Sequence, residues 1–501
     1  MMMQIIMTYL PHADPGVLRY DLLIDGAEVG AAGGGERESV DPSTERTWAV
    51  VAEAGADDVD RAVGAARAAL RGPWGRTLPR ERGRLLRRVA DLVEAEAPRL
   101  IELELRDNGK TIREVSAQYA LIPEFYRYFG ELADKLDGQV LPAERPDIIN
   151  FTLVEPVGVV AAITPWNSPG LQMAFKTAPA LAAGNAIVLK PSEQTPVATL
   201  ELARLFGRAG APPGVVNVVT GGAATGAALT SHPDVDLVVF TGSDTTGRRV
   251  GAAAGEALSA VILELGGKSA QLVFADADLD QAAAGVVAGI TSASGQTCIA
   301  GSRAYVDASI ADAFAERLVA RFRALRVGPP ASWDTEVGPL AFREHLERVE
   351  AFCATARAQG ATSLVGGGRP ELEGFFFEPT VFADVAPDAS LMREEVFGPV
   401  LGMATFDSED EAVSLANDSR YALGAGVWTS DLTRAHRLAH QLEAGTVYIN
   451  NYRLASYQTP LAGFKDSGVG FENGKDSLLH FTRRKAVWID FSGREKDPAA
   501  T

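Results

Sequence analysis

The chain has 501 residues, 47% of them apolar and 22% charged, an ordinary balance for a globular protein large enough for two or three domains. Its net charge of −18 excludes the basic surface that nucleic acid requires. Two cysteines in so long a chain exclude a disulfide scaffold and point to a reducing compartment, the cytoplasm.

The opening run from Met1 to Met7 lacks a basic flank and is cut short by Pro11, His12 and Asp14, so neither a secretory leader nor a membrane anchor is expected. A short strand is expected at Tyr20–Asp25, then Gly-rich loops near Gly33–Gly35. Val59, Val63, Ala66 and Leu70 recur at helical spacing. A longer helix opens at Pro79, where a missing N–H is harmless, and carries Leu85, Leu86, Val89, Leu92 and Val93 on one face. Pro98 is expected to start a separate helix that stops at Asn108-Gly109, and helical pattern resumes through Ile112–Leu136. Two apolar runs, Ile148–Val154 and Val157–Ile163, are split by Pro156 and read as a hairpin or a strand crossing between domains.

From 157 to 266 strands and helices alternate. Strands are expected at 157–163, 186–189, 215–219, 237–240 and 260–263, with helices at 170–183, 196–209, 223–230 and 244–254. Such alternation builds a doubly wound parallel sheet that binds ligands at the carboxyl ends of its strands. The strand tails Thr164-Pro-Trp-Asn167, Lys190-Pro-Ser-Glu193, Thr220-Gly-Gly222, Thr241-Gly-Ser243 and Glu264-Leu-Gly-Gly-Lys268 are polar or Gly-rich, as a nucleotide cleft requires. A second α/β unit follows to about 466, with strands at 270–274 and 446–450 and helices around 278–290 and 311–325. Lys485–Phe491 reads as a terminal strand able to pair with another subunit's edge.

Cys298 lies in Gly295-Gln-Thr-Cys298, a small-residue run that leaves a thiol approachable and backbone N–H groups free to hold an oxyanion. The plain alternative is a buried structural cysteine, and Cys353 in a helical pattern is read that way. Glu264, set between apolar residues, should have a raised pKa suited to a general base, or be a paired structural carboxylate. Glu395 is ambiguous with Glu394, and Lys190 could hold ribose hydroxyls or phosphate. Gly468-Val-Gly470 approaches a dinucleotide fingerprint but has Asn473 in the last position. Gly267-Lys268-Ser269 mimics a P-loop tail, yet Ile262 stands where its first glycine belongs. His436 and His440 are read as solvated helix residues, and no metal site is expected.

Taken together with Phe240-Thr-Gly-Ser243, Glu395-Val-Phe-Gly-Pro399 and Gly463-Phe-Lys-Asp-Ser-Gly468, these pieces resemble the aldehyde dehydrogenase superfamily in order and spacing over about residues 20–490. The resemblance implies a Rossmann-like cofactor domain (20–137 and 157–266), a second α/β catalytic domain (267–466) and a small β oligomerisation arm (138–156 and 467–495), assembled as a homodimer or homotetramer. It implies Cys298 as nucleophile, Asn167 as oxyanion donor and Glu264 as the base that activates water. NAD is the implied cofactor. Lys190, Ser192 and Glu193 would meet the adenosine ribose, and Gly222, Gly226, Phe240, Gly242 and Thr246 the adenine half. Ser243, Pro165 and Trp166 would lie on the pyrophosphate side, with Leu265, Glu395 and Phe397 around the nicotinamide riboside. Glu193 favours NAD by repelling a 2′-phosphate, with NADP as the second choice.

The substrate pocket would be Ser168, Gly170, Gln172, Phe175, Thr297, Ile299, Arg453, Ala455 and Tyr457. Ser168 and Ala455 stand where many relatives carry aromatic residues, and Gly170 where a larger residue is common. These changes suggest a wide tunnel for a bulky, aromatic or functionalised aldehyde, which Tyr457 or Phe175 could refill. Arg453 could meet an acidic tail or simply face solvent. The alternatives are a CoA-acylating semialdehyde dehydrogenase, which Glu264 disfavours, and a binding protein that kept the fold without catalysis.

Overall fold

A computed structural model describes residues 16–493. The methionine-rich start and the last residues of the expected arm lie outside them.

Two sheets dominate. In the first, the strands Ala260–Glu264, Leu237–Thr241, Val159–Ile163, Ala186–Lys190 and Val216–Val218 lie side by side and parallel in that spatial order. Their near-continuous apolar runs suit strands buried on both faces, and every residue of Val159–Ile163 and Ala186–Lys190 is buried. The helices Pro79–Asn108, Ile112–Leu132, Pro169–Ala183 and Val197–Arg208 pack one face. The helices Ala56–Arg71, Ala223–Thr230 and Asp244–Glu256 pack the other. The short strand Leu22–Ile24 and its neighbour Ala27–Val29 extend one edge.

The second sheet has seven strands in the order Thr362–Val365, Thr380–Ala383, Val400–Phe406, Arg303–Asp307, Ala270–Val273, Gly424–Trp428 and Thr446–Ile449. All but the first pair run parallel. A third sheet pairs Ile148–Pro156 with Thr482–Asp490 along their full length and with Val140–Leu141. No helix among the described residues is long and apolar enough to cross a membrane.

One expectation changes, and one open alternative is decided. Pro98 does not start a helix; it lies inside one continuous helix from Pro79 to Asn108. An internal proline costs about 3 kcal/mol. Here Leu86, Val89, Val93 and Ala97 before it, and Leu100 and Ile101 after it, bury one unbroken face that offsets the loss. Gly109, at φ +76, ends that helix where expected. Of the two readings for Ile148–Pro156 and Val159–Ile163, the crossing holds and not the hairpin: the chain leaves one sheet and enters another at Val157-Gly158. Gly468-Val469 adds to the edge of the first sheet against Leu263 and Glu264, and the terminal strand runs from Thr482 to Asp490.

Candidate active site

The carboxyl ends of the first sheet open onto a cleft lined by Pro165, Trp166, Asn167, Thr241, Gly242, Ser243, Leu265 and Gly266. Cys298, Glu395 and Phe397 close it from the second unit. Topology puts them there: three neighbouring parallel strands end at the same level, so their tails meet.

Cys298 rides on a tightly held loop. The helix Leu279–Thr291 ends, and Ala293, Ser294 and Gly295 all take left-handed backbone at φ 52, 53 and 72. Gly295 is obligatory, since a Cβ there would come within 2.6 Å of the Pro399 nitrogen. The Ala293 N–H donates to Glu114, which reaches in from the helix Ile112–Leu132. The Ser294 hydroxyl donates to the Gly338 carbonyl at 2.8 Å. Gln296 is buried, donating to the Ala293 carbonyl at 3.1 Å and accepting from the Ala341 N–H at 2.9 Å. Its own carbonyl accepts from the Asn167 side-chain amide at 2.9 Å. That bond uses one of the two Asn167 amide hydrogens and leaves the other for the cleft.

Cys298 is half-buried as a residue and lines the cleft. Burial of its surroundings, then the carboxylates Glu395 and Glu264, push its pKa up to about 12, so the thiol is protonated at neutral pH. The Ile299 N–H and Arg453 act in the opposite direction.

Glu264 ends the strand Ala260–Glu264, and its successors Leu265 and Gly266 line the cleft. Its side chain is buried, and neither carboxylate oxygen has a hydrogen-bond partner. Burial, reinforced by Glu472, holds its pKa well above the carboxylate range, with Lys176 opposing. Lys176 donates to Gln172 at 3.1 Å, Thr241 at 2.8 Å and Glu472 at 2.9 Å. A charged, fully hydrogen-bonded group thus sits behind an unbonded carboxyl.

Glu395 accepts from the Gly267 N–H at 2.9 Å, and burial raises its pKa to about 7. The buried Lys268 ammonium has no hydrogen-bond partner, and burial lowers its pKa to about 7. Phe397 is held at φ 60, with its ring centroid 5.0 Å from that of Trp166.

Toward the other end, Lys190 donates to the Pro191 carbonyl at 3.1 Å and to Glu193 at 3.5 Å. A Cβ on Gly226 would touch the Lys190 stem at 3.6 Å, and one on Gly222 would meet Arg37 at 3.3 Å. The Ser192 hydroxyl accepts from the Gln194 N–H at 3.3 Å. Ser243 caps the helix Asp244–Glu256, accepting from the Thr246 N–H at 3.3 Å. Phe240 is buried in the core beneath Gly242.

The model of the aldehyde dehydrogenase family matches residues 30–487. The chain is 43% identical to a (Z)-2-((N-methylformamido)methylene)-5-hydroxybutyrolactone dehydrogenase of Acinetobacter baylyi, over 96% of this chain and 98% of that one. It is also 43% identical to an aldehyde dehydrogenase of Aspergillus niger, over 94% and 96% of the two chains. The chain belongs to the aldehyde dehydrogenase family. Among solved structures it matches a betaine aldehyde dehydrogenase of Staphylococcus aureus in complex with NAD+, with a TM-score of 0.94, 37% identity and 97% of each chain covered. An NAD+ complex of an aldehyde dehydrogenase from Bacillus cereus matches with a TM-score of 0.93 and 41% identity, over 95% of this chain and 97% of that one. The protein is therefore an NAD-dependent oxidoreductase of the aldehyde group.

This aldehyde dehydrogenase has cleft residues that its motifs do not reveal. Phe342, His345 and Arg348 line the cleft from the helix Arg343–Ala358 and the residue before it. The His345 Nε2–H donates to the Phe397 carbonyl at 2.7 Å, and burial lowers its pKa to about 4. Arg348 donates to the Glu395 carbonyl at 2.9 Å. Their spacing of three along the chain marks one helix face, but nothing in the sequence says what that face meets.

On the substrate side, Gln172 lines the cleft, and Thr297 and Ile299 flank Cys298 half-buried. Phe175 is buried against Phe125, with ring centroids 4.6 Å apart, and Tyr457 stands 5.9 Å from the same ring. Ala455 is exposed. Gly170 does not widen the tunnel. It is buried, and a Cβ there would lie 2.9 Å from both the Glu104 carboxylate and the Tyr119 hydroxyl. Those two side chains fill the room the missing one leaves. Cys353 is core, as expected, and His436 and His440 are exposed.

Proposed function

We propose that Cys298, Asn167 and Glu264 carry the reaction, and that the enzyme releases a free carboxylic acid by hydrolysis. The observation that carries this is one cleft lined by Cys298 and by Asn167, whose amide is half free, with the unbonded Glu264 carboxyl near enough to act on the thiol. The Cys298 thiol gives its proton to water and attacks the aldehyde carbon as the thiolate. The carbonyl oxygen becomes an oxyanion, which the remaining Asn167 amide hydrogen and the Cys298 N–H would hold. One such donor is worth about 2.7–4 kcal/mol. Bound NAD supplies the hydride acceptor. Loss of hydride from the adduct leaves a thioester on Cys298. Glu264, once ionised, takes a proton from water, the hydroxide attacks the thioester, and the thiol is freed with the acid.

The residues fit NAD. Ser243 faces the cleft at the head of a thirteen-residue helix, the end that attracts phosphate. Lys190 and Glu193 offer a cation and an acceptor for ribose hydroxyls, and Glu395 and Phe397 line the reactive end. The Glu193 carboxylate disfavours the 2′-phosphate of NADP.

The substrate we propose is a bulky, aromatic or functionalised aldehyde. Ser168 and Ala455 are small, and the named substrate of the Acinetobacter relative carries an amide and a hydroxylactone ring. Assembly as a homodimer or homotetramer is supported by the terminal strand, whose Trp488 and Ile489 are 63% and 46% exposed on a strand with one strand neighbour among the described residues.

NADH formation across short, long, aromatic and acid-tailed aldehydes tests the reading, with Cys298→Ala alongside. Turnover that vanishes with the thiol, about 10⁴-fold or more, is the expected result. Turnover that requires added CoA would move the enzyme to the acylating class.

A further inference from the structure

The link between the two N-terminal helices carries buried charges that the reaction above leaves unused. Glu104 stands near the end of the helix Pro79–Asn108. Gly109 then turns the chain at φ +76, and Lys110 follows it. The Glu104 and Lys110 side chains are 0% and 2% exposed and form an ion pair at 3.2 Å. Burial lowers the Lys110 pKa, and the carboxylates of Glu104 and then Glu114 oppose that. A buried pair is a poor source of stability, because both charges lose their water. What it holds is therefore the better guide to its use.

The Lys110 ammonium donates to Gln118 Oε1 at 2.6 Å and to Ser168 Oγ at 3.2 Å. Gln118 Nε2, on the helix Ile112–Leu132, donates to the same Ser168 Oγ at 3.2 Å. Ser168 immediately precedes the helix Pro169–Ala183, a position where a serine hydroxyl ordinarily accepts from the helix's own first N–H groups. It makes no such bond here, since its oxygen is taken by Lys110 and Gln118. Pro169 has no N–H, so the first one in that helix belongs to Gly170, and it donates to Glu104 Oε2 at 3.3 Å. The capping work of Ser168 has passed to a carboxylate from another helix. Asn167 is the next residue back, so the tail that carries its amide is tied to the Glu104–Lys110 pair.

The same link reaches the nucleophile. Glu114 accepts from the Ala293 N–H, in the left-handed turn before Cys298, and from the Thr111 hydroxyl at 3.1 Å. Between these two ties the Asn167 amide donates to the Gln296 carbonyl at 2.9 Å. None of Glu104, Lys110, Glu114 and Gln118 is among the residues that line the cleft.

We infer that Glu104, Lys110 and Gln118 are positioning residues that set the Asn167 amide against the Cys298 loop, so that both oxyanion donors meet one oxygen. This assignment rests on the role proposed above for Asn167 and adds the residues that aim it. An ammonium has three donors and no acceptor, so it can hold a carboxylate, an amide oxygen and a hydroxyl at once. An apolar side chain in its place frees Ser168 to turn back onto its own helix and lets the Asn167 tail shift. A misplacement of about 1 Å at a reacting centre costs about 10²-fold in rate.

The test makes Lys110→Met and Ser168→Ala, each alone and together with Asn167→Ala, and compares kcat/KM for butanal and benzaldehyde at saturating NAD. Lys110→Met should lower kcat/KM by roughly 10–100-fold and Ser168→Ala by a few-fold, equally for both aldehydes. In the Asn167→Ala background each should cost less than about twofold more, because the donor they aim is gone. Equal penalties in the two backgrounds would show a brace for the fold alone and overturn the inference. A penalty that falls on one aldehyde would assign Ser168 to substrate recognition and overturn it as well. Asn167→Ala without loss of activity retracts the oxyanion reading itself, an outcome distinct from the other two. Should Lys110→Met fail to fold, Ser168→Ala in the two backgrounds still decides.

Discussion

The two ends of the cleft are built by different means. The cofactor end is made from the tails of neighbouring parallel strands, Thr164–Asn167, Thr241–Ser243 and Glu264–Gly266, each a few residues long and set by topology. The contacts around Ser168 and the Cys298 loop are instead made by side chains of distant segments. Glu104, Lys110 and Gln118 come from the helical N-terminal part, Ser168 from a strand tail, and Arg453 from a loop near the C-terminus. The first kind of site depends on backbone close to its own strand. The second can be rewritten one side chain at a time without moving a strand. One fold can in this way keep its cofactor while its substrate drifts.

Substitutions can break this contrast. Glu264→Gln should cut steady-state turnover by roughly 10²–10⁴ while a first burst of NADH survives, because only the water step needs the base. No burst would mean that Glu264 acts before hydride transfer. In the wild type the hydrolytic rate should climb with pH through a value well above the ordinary carboxylate range. The same shift has a stability sign. The folded state favours the neutral form of Glu264, so stability falls as pH rises from the unfolded carboxylate range through the raised folded value. The melting temperature of Glu264→Gln should therefore fall less over that window than that of the wild type.

Asn167→Ala should reduce kcat/KM by about 10²–10³ for every aldehyde alike, since the oxyanion is common to all of them. An effect confined to one substrate would assign Asn167 to recognition instead. In the cofactor-free enzyme, iodoacetamide labelling of Cys298 should still be rising beyond pH 10, given a thiol pushed up to about 12. A plateau near pH 8 would indicate a thiolate stabilised by contacts other than those described. Glu193→Gln should raise the NADP-to-NAD ratio of kcat/KM several-fold, because it removes a charge near the 2′-oxygen. An unchanged ratio would detach Glu193 from the ribose.

The same division decided what the sequence could reveal. The alternating strands and their polar tails were legible because parallel buried strands are continuous apolar runs and the site lies immediately after them. Glu264 was readable as a buried carboxyl from the flanking residues Leu263 and Leu265. The Arg348 and His345 contacts were not readable, because a helix pattern shows which residues share a face and not what that face covers. Gly170 misled for a related reason. The space its missing side chain leaves is taken by Glu104 and Tyr119, one 66 residues and the other 51 residues earlier. Pro98 misled because a local rule was overridden by a long buried face that no short window contains.

Ala293 and Ser294 have a further consequence. Two successive non-glycine residues in left-handed backbone are each held against a preference of roughly 1–2 kcal/mol. The Glu114 carboxylate that holds Ala293 belongs to a helix packed against the other sheet. The loop that aims the thiol is thus a loaded spring whose catch lies in the other half of the molecule. A glycine at 293 or 294 would slacken the spring at no steric cost. Here the direction that raises heat tolerance and the direction that keeps the nucleophile aimed are opposed.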